Sequence, residues 1–247
     1  MFDISFENAK LFKDCVDAIV NLINEGEFEI SSEGITLRAM DPSQIAMVDF
    51  KMPKKACSSY KVEGDVKIGV NFEDLSRVMG RARPEESLNL KLKDSRLEMT
   101  FKGKFTRRFN LPLLDIGGTV PKEPKIEFDA NIKLNASVLK DSLKDASLVS
   151  SHVVLSIDKN SFVIEATGDR GDVLIETKKE ETVVIAHECT NNAKAMFPLE
   201  YLNDILKGAD SSTVITLYLK TDAPLKVEYP VGQAEIVYYL APRIENV

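Results

Sequence analysis

Apolar and polar positions along the chain alternate in two regimes. Four stretches repeat at the 3.6-residue spacing of a helix that hides one face. In window 8–23, Leu11, Cys15, Ala18, Ile19 and Leu22 share one arc, and Lys10, Lys13, Asp14, Asp17 and Asn21 share the opposite one. In 71–83 the stripe is Phe72, Leu75, Val78, Met79 and Ala82, with Arg77 and Arg81 outside it. Window 137–148 sets Lys140 and Lys144 on one stripe and Asp141 and Asp145 on the next, about 100° round. In 198–208, Leu199, Leu202, Ile205 and Leu206 face inward while Glu200, Asn203, Asp204 and Lys207 face out. Between these windows a period of two takes over, as in Leu88-Asn-Leu-Lys-Leu92 and Val214-Ile-Thr-Leu-Tyr-Leu219, and predicts strands.

The order of elements occurs twice, at an offset of about 127 residues. Lys13-Asp14 recurs as Lys140-Asp141, and Glu73, Leu75 and Ala82 recur as Glu200, Leu202 and Ala209. Leu90, Leu92 and Lys93 fall on Leu217, Leu219 and Lys220. Two related α+β domains explain this better than chance identities. Residues 1–112 form the first and 127–247 the second. The connector 113–126 contains Gly117-Gly118, Pro121 and Pro124, which suit neither a helix nor a central strand. A connector of that length is either slack or functional.

Composition changes this picture in one respect. The chain has 247 residues, 44% of them hydrophobic, and a formal net charge of −7. That balance argues against coating nucleic acid or an anionic membrane with the whole surface. The four helical windows hold eight Lys/Arg and eight Asp/Glu, so the excess acid lies outside them. A solvated face with ion pairs one turn apart is the ordinary reading of any one such helix. No stretch resembles a signal peptide or a membrane span. Three distant cysteines make no disulfide framework, so a soluble intracellular protein with reduced thiols is expected.

Catalytic patterns are scarce. His152 and His187 are the only histidines, and neither has a partner at metal-ligand spacing. There is no phosphate-binding glycine loop, no nucleophile elbow and no zincin helix. Cys57, beside Lys54 and Lys55, is either mildly activated or a structural thiol. The expectation is no enzyme, no cofactor and no metal. A loop-like stretch, Met40 to Met47, carries Met40, Ile45 and Met47, and the C-terminus carries Tyr238 to Arg243. These are either strand-end core residues or an adaptable apolar docking site for a peptide.

Leu37-Arg-Ala-Met-Asp-Pro-Ser43, the duplication, the connector and Tyr239-Leu-Ala-Pro-Arg-Ile-Glu245 together resemble the proliferating cell nuclear antigen family of DNA sliding clamps, in its archaeal branch. The resemblance spans essentially the full chain. It implies a homotrimeric toroid in which helices line a channel around double-stranded DNA and antiparallel sheets form the outer wall. Such rings are opened by a clamp loader. They hold DNA polymerase, flap endonuclease and DNA ligase through short glutamine-and-aromatic peptides, in replication and repair. The implied location is the cytoplasm, at the nucleoid of an archaeal cell, or the nucleus in a eukaryote.

Carried over residue by residue, the resemblance places Lys10, Lys13, Arg77, Lys144 and Lys207 in the DNA channel, and the helical wheel adds Lys140 and Arg81. Val20 and Gly80 stand where relatives often have lysine, which weakens the expected field. The partner groove maps to Met40, Ser43, Ile45, Met47, Pro224, Tyr239, Ala241 and Pro242, with Ile116 and Val120 as connector walls. Subunit contact maps to the strand near Arg107, Arg108, Phe109 and Leu111, and to a strand from Asp172 to Thr177 with Val173 and Ile175. The Asp141/Asp145 stripe adds ion pairs to Arg81, Arg83 or Arg108 across that junction. Two other readings stay open on the sequence: one subunit of a heterotrimeric clamp, and an enzyme with a carboxylate-bound metal.

Overall fold

The computed structural model describes residues 1–117, 119–169 and 171–244. Gly118 of the connector and Glu245 of the C-terminal motif lie outside the described residues. The chain divides into two compact units. The first takes Met1–Gln44, Val48–Pro121 and Pro230–Ile236; the second takes Ile45–Met47, Lys122–Tyr229 and Val237–Val247.

The first half of the chain runs β1 (Phe2–Phe6), α1 (Ala9–Val20), β2 (Glu25–Ile30), β3 (Gly34–Met40), β4 (Ala46–Pro53), β5 (Ser59–Val62), β6 (Val66–Asn71), α2 (Phe72–Met79), β7 (Ser87–Lys93), β8 (Arg96–Lys102) and β9 (Thr106–Pro112). The second half repeats that order. It runs β10 (Ala130–Asn135), α3 (Ala136–Ala146), β11 (His152–Ile157), β12 (Ser161–Gly168), β13 (Gly171–Lys178), β14 (Val184–Cys189), β15 (Ala193–Pro198), α4 (Leu199–Leu206), β16 (Val214–Leu219), β17 (Leu225–Val231) and β18 (Ala234–Leu240).

Strand neighbours repeat as well. The order β5-β1-β7-β8-β9 in the first half matches β14-β10-β16-β17-β18 in the second, and β6-β2-β3-β4 matches β15-β11-β12-β13. Even the register corresponds: Ile4 sits opposite Tyr60 and Leu90, and Ile132 sits opposite His187 and Leu217. The described structure thus bears out the α+β duplication expected from the 127-residue offset.

Alternation explains the strands. In β1, Phe2, Ile4 and Phe6 are buried while Asp3 and Ser5 are not. Helix α1 begins where Asn8 accepts the Lys10 N–H at 2.8 Å, and α2 where Asn71 accepts the Asp74 N–H at 2.9 Å; each satisfies a donor the helix leaves open. The apolar faces of α1 and α2 close a core with Phe6, Phe12, Phe28 and Phe72, whose ring centroids lie 5.3–6.3 Å apart along the chain of contacts. Each such fully buried ring contributes roughly 2–3 kcal/mol. In the second unit Tyr229 and Tyr238 lie 5.7 Å apart, and the Tyr229 hydroxyl donates to the Ile205 carbonyl at 2.6 Å.

One local expectation is corrected, and one left open gains detail. Met40 to Met47 is not one loop: β3 ends at Met40, β4 starts at Ala46, and the turn between holds Gln44 at φ 58°. Met47 is only 3% exposed, because β4 is buried on both faces from Ala46 to Phe50, although Asp49 and Lys51 mark one of those faces as polar. The connector starts docked within the first unit. Leu114 donates its N–H to the Gly69 carbonyl at 2.9 Å, and a Cβ on Gly69 would sit 2.3 Å from the Leu114 oxygen, so only glycine admits this approach.

Candidate functional site

The helical cations were the first expected site, and the structure gives five of the seven a carboxylate one turn away on the same helix or at its end. Lys10 pairs with Asp14 and Lys13 with Asp17. Arg77 lies 3.2 Å from Asp74, Lys144 3.0 Å from Asp141, and Lys207 2.6 Å from Asp204. Each pair is one helical turn apart, where side chains meet naturally. Lys140 does not share the exposure of Lys144: it is half-buried and donates to the Ala209 carbonyl. Asp141 likewise does not stand apart from the lysines, because three residues round the helix bring it to Lys144. Arg81 is exposed, and no ion pair forms on it among the described residues.

The second expected site is a pair of strands. β9 ends its sheet in the first unit and β13 ends its sheet in the second. Along β9, Arg107, Phe109 and Leu111 are half-buried and alternate with exposed Arg108 and Asn110. Along β13, Val173 and Ile175 are half-buried between exposed Asp172, Leu174 and Glu176. Long terminal strands with alternating apolar side chains present a row of open backbone groups.

Around β9 the charge is positive and organised. Buried Glu86 pairs with Arg107 and accepts the Arg83 N–H at 2.9 Å. Arg107 also donates to the Arg81 carbonyl at 3.0 Å, and the Arg83 guanidinium lies 4.7 Å from the centre of the exposed Phe105 ring. Arg108 reaches Glu98 only at 3.6 Å. The sequence reading missed the rest of this cluster, Lys102, Lys104 and Phe105, although the run Lys102-Gly-Lys-Phe-Thr-Arg-Arg108 carries four cations in seven residues. Counting charge by strand as well as by helix finds it. Asp145 is exposed and unpaired among the described residues.

The groove residues divide between the units. In the second, the Ala241 N–H donates to the Ile45 carbonyl at 2.9 Å, fixing the C-terminal stretch beside Ile45 and Met47. Tyr239 is 5% exposed and donates its hydroxyl to Glu123 at 2.8 Å, so it is wall rather than rim. Ala241, Pro242 and Pro224 are half-exposed. In the first unit Met40 and Ile116 are half-buried, Ser43 is exposed and Val120 is 45% exposed.

The remaining candidates are structural. His187 lies 2.6 Å from the Asp158 carbonyl through Nε2, and His152 lies 2.9 Å from Arg243. Burial pushes the Cys57 thiol up to about 11, against the activation its lysines suggested. Among the described residues no three His, Cys, Asp or Glu side chains are placed to hold a metal ion, and no helix is long and apolar enough to cross a membrane.

Comparison with known proteins bears on the fold and the family. The family model of the proliferating cell nuclear antigen N-terminal domain matches residues 1–114, and that of the C-terminal domain matches 122–244. A DNA polymerase sliding clamp of Methanococcus vannielii is 36% identical over 245 residues, covering 97% of this chain and 98% of that protein. One of Thermococcus onnurineus is 33% identical over 247 residues, covering 99% of each. The crystal structure of proliferating cell nuclear antigen from Thermococcus kodakaraensis superposes with a TM-score of 0.94 at 27% identity, over 98% of this chain and 100% of that one. The solved structure of A. fulgidus proliferating cell nuclear antigen with the C-terminal region of FEN-1 bound gives 0.90 at 28% over the whole of both chains. The chain belongs to the proliferating cell nuclear antigen family of DNA polymerase sliding clamps.

Proposed function

We propose that three copies of this chain close into a ring around duplex DNA and tether replication and repair proteins to it, without doing chemistry themselves. The observation that carries the reading is the pair of terminal strands. β9 offers apolar side chains within a cationic surround, and β13 offers apolar side chains between Asp172 and Glu176. Pairing β9 of one copy with β13 of the next extends both sheets and covers both open edges. Arg81, Arg83 and Arg108 then have Asp145 as a candidate partner, while Asp141 is shared with Lys144. The number three comes from the family resemblance.

The helices supply the DNA-facing surface in this reading. Their cations are locally neutralised, so the contact with phosphate is weak, independent of base sequence and strongly salt-dependent. Topology holds the ring on DNA, and affinity does not need to. A partner peptide docks on the C-terminal stretch of the second unit, with Ile45, Met47, Pro224, Ala241 and Pro242 forming its apolar bed. Met40, Ser43, Ile116 and Val120 join this proposal from the family resemblance. The A. fulgidus relative, solved with a FEN-1 segment bound, supports a flap nuclease as one partner. Polymerase, ligase and a clamp loader follow from the same resemblance.

Light scattering on the purified chain tests the assembly. The expected mass is three times 27.5 kDa. Retention on circular but not linear duplex after loader-driven assembly tests encirclement. A monomer at micromolar concentration, or equal retention on both DNAs, overturns the reading.

A further inference from the structure

The solvent face of the β11–β12–β13–β15 sheet carries a cleft of about 600 Å³ that lies outside the groove residues named above. Strand register sets its layout. Glu165 on β12 sits opposite Val154 on β11, Val154 sits opposite Met196 on β15, and Met196 bridges to Arg243 of the C-terminal stretch. The Arg243 N–H donates to the Met196 carbonyl at 2.8 Å, so this stretch forms the far wall. These four residues stand in one cross-sheet row. Their neighbours Val153, Leu155, Ile164 and Ala195 point into the core.

The row is bipolar. At one end Glu165 and Asp172 line the cleft, with Lys194 as the cation 2.9 Å from Glu165, and Asp172 has no ion pair among the described residues. At the other end Arg243 lies 2.9 Å from His152 Nε2 through one of its nitrogens. A guanidinium has five N–H donors, so most remain available. Val154 and Met196, both half-exposed, form an apolar floor between the ends. Neighbouring strands stand about 4.8 Å apart, so three steps from Glu165 to Arg243 span about 14 Å, the length of roughly four extended residues.

We propose that this cleft docks an extended peptide segment of a second protein. The segment carries a basic side chain toward Glu165 and Asp172, an apolar side chain over Val154 and Met196, and an acidic side chain four positions from the basic one, at Arg243. Charge complementarity at both ends selects this occupant over a purely apolar one, which leaves the Asp172 charge without a cation and the Arg243 charge without an anion. Of the residues that carry the proposal only Asp172 lies on β13, which the ring reading assigns to subunit contact; Glu165, Val154, Met196 and Arg243 lie elsewhere. None of them shares a position with the partner groove, so either of those two sites can fail without the other.

The test uses the full chain with labelled Met and Val methyl groups, titrated with acetyl-Lys-Ala-Leu-Ala-Glu-amide and followed by NMR. Shifts at the Met196 and Val154 methyls are expected, with acetyl-Ala-Ala-Leu-Ala-Ala-amide binding at least threefold more weakly. Arg243→Glu turns both ends acidic. It is expected to weaken the Lys/Glu peptide by about threefold to tenfold and to favour acetyl-Lys-Ala-Leu-Ala-Lys-amide instead. The change of preference separates recognition from simple loss of structure. Equal affinity for all three peptides, shifts confined to other methyls, or an Arg243→Glu variant with unchanged preference overturns the proposal.

Discussion

The two halves share one blueprint, and the places where they diverge are the instructive ones. β9 and β18 hold the same position in the repeated order, as do β13 and β4. Yet six of the seven residues of β18 are buried and none of β9, and six of the eight residues of β4 against Thr177 alone in β13. Composition follows exposure: Ile236, Val237, Tyr238, Tyr239 and Leu240 in β18, but Arg107, Arg108 and Asn110 in β9. Position in the repeat therefore does not tell which strands stay open. Of these four only β9 and β13 end their sheets, and their side chains make one a cationic edge and the other an acidic one.

The sharpest way to break that contrast is to put the same charge on each kind of strand. Val48→Asp in β4 sets a carboxylate at a position with no solvent access and costs on the order of 4 kcal/mol or more, read as lost soluble, cooperatively melting protein. Leu174→Asp in β13, where the side chain is 61% exposed, shifts the melting temperature by no more than about 2 °C. It is expected instead to lower the mass in solution from that of three copies. A Leu174→Asp variant that melts early and stays trimeric would reverse both assignments.

Glu86 gives the next largest effect. Its counterpart 127 residues on is Thr213, and both close the same turn: Glu86 accepts the Arg83 N–H, and Thr213 Oγ1 accepts the Asp210 N–H, each at 2.9 Å. Only Glu86 also reaches Arg107. Glu86→Thr keeps the turn but leaves that largely buried guanidinium without its anion, at a cost of about 3 kcal/mol in urea unfolding. A loss under about 1 kcal/mol would show that Arg107 finds water instead.

Smaller differences lie at the helix starts. Asn8 and Asn135 are counterparts, but only the Asn8 side chain accepts a backbone N–H of its helix. Asn8→Ala is expected to cost about 1 kcal/mol and Asn135→Ala a few tenths, by the same unfolding measurement. Equal losses would remove the distinction.

The smallest effect is a titration. Ser31 and Asp158 occupy the same turn; Ser31 accepts one N–H, from Glu33 at 3.2 Å, while the Asp158 carboxylate accepts two, from Asn160 at 2.7 Å and Ser161 at 2.8 Å. The Asn160 N–H, then that of Ser161, holds the Asp158 carboxyl below its ordinary 3.8. The stabilisation it provides is thus present above the unfolded carboxylate value, about 3.9, and is lost as pH falls through the lower folded value. Carbonyl NMR is expected to give a midpoint below 3.8, and Asp158→Ser removes this acid sensitivity. A midpoint above 3.8 contradicts the bonding.

Much of the fold is legible in the residues, for a physical reason: helix faces and half-buried strands write their period into the sequence. Leu199, Leu202, Ile205 and Leu206 are all buried as the wheel predicts, and Val214–Leu219 is a strand end to end. Helix ends are less legible, as the window 8–23 against Ala9–Val20 shows, because caps and fraying carry little period. Burial of Met47 is not legible because Asp49 and Lys51, on the same face of β4, give that face a polar pattern although Asp49 is itself buried. The candidate site was legible as a set of cations and lost in its pairing. Stripes on a wheel assign directions to Cβ atoms, whereas long lysine side chains swing back one turn to an aspartate. Glu86, distant in sequence from Arg107, leaves no local pattern at all.

Those one-turn pairs have a kinetic side. A surface of bare lysines grips each phosphate it passes, so movement along a duplex becomes a series of captures and escapes. Lys10, Lys13, Arg77, Lys144 and Lys207 each have a carboxylate that, in the proposed ring, would compete with phosphate for them. Exposed pairs of this kind are worth about 0–1 kcal/mol, close to thermal energy, so letting go of one phosphate and taking the next leaves little net barrier. The aspartates act as a lubricant. In the proposed ring they would flatten the landscape along the duplex, leaving drag from the solvent, rather than friction with the DNA, to set the pace.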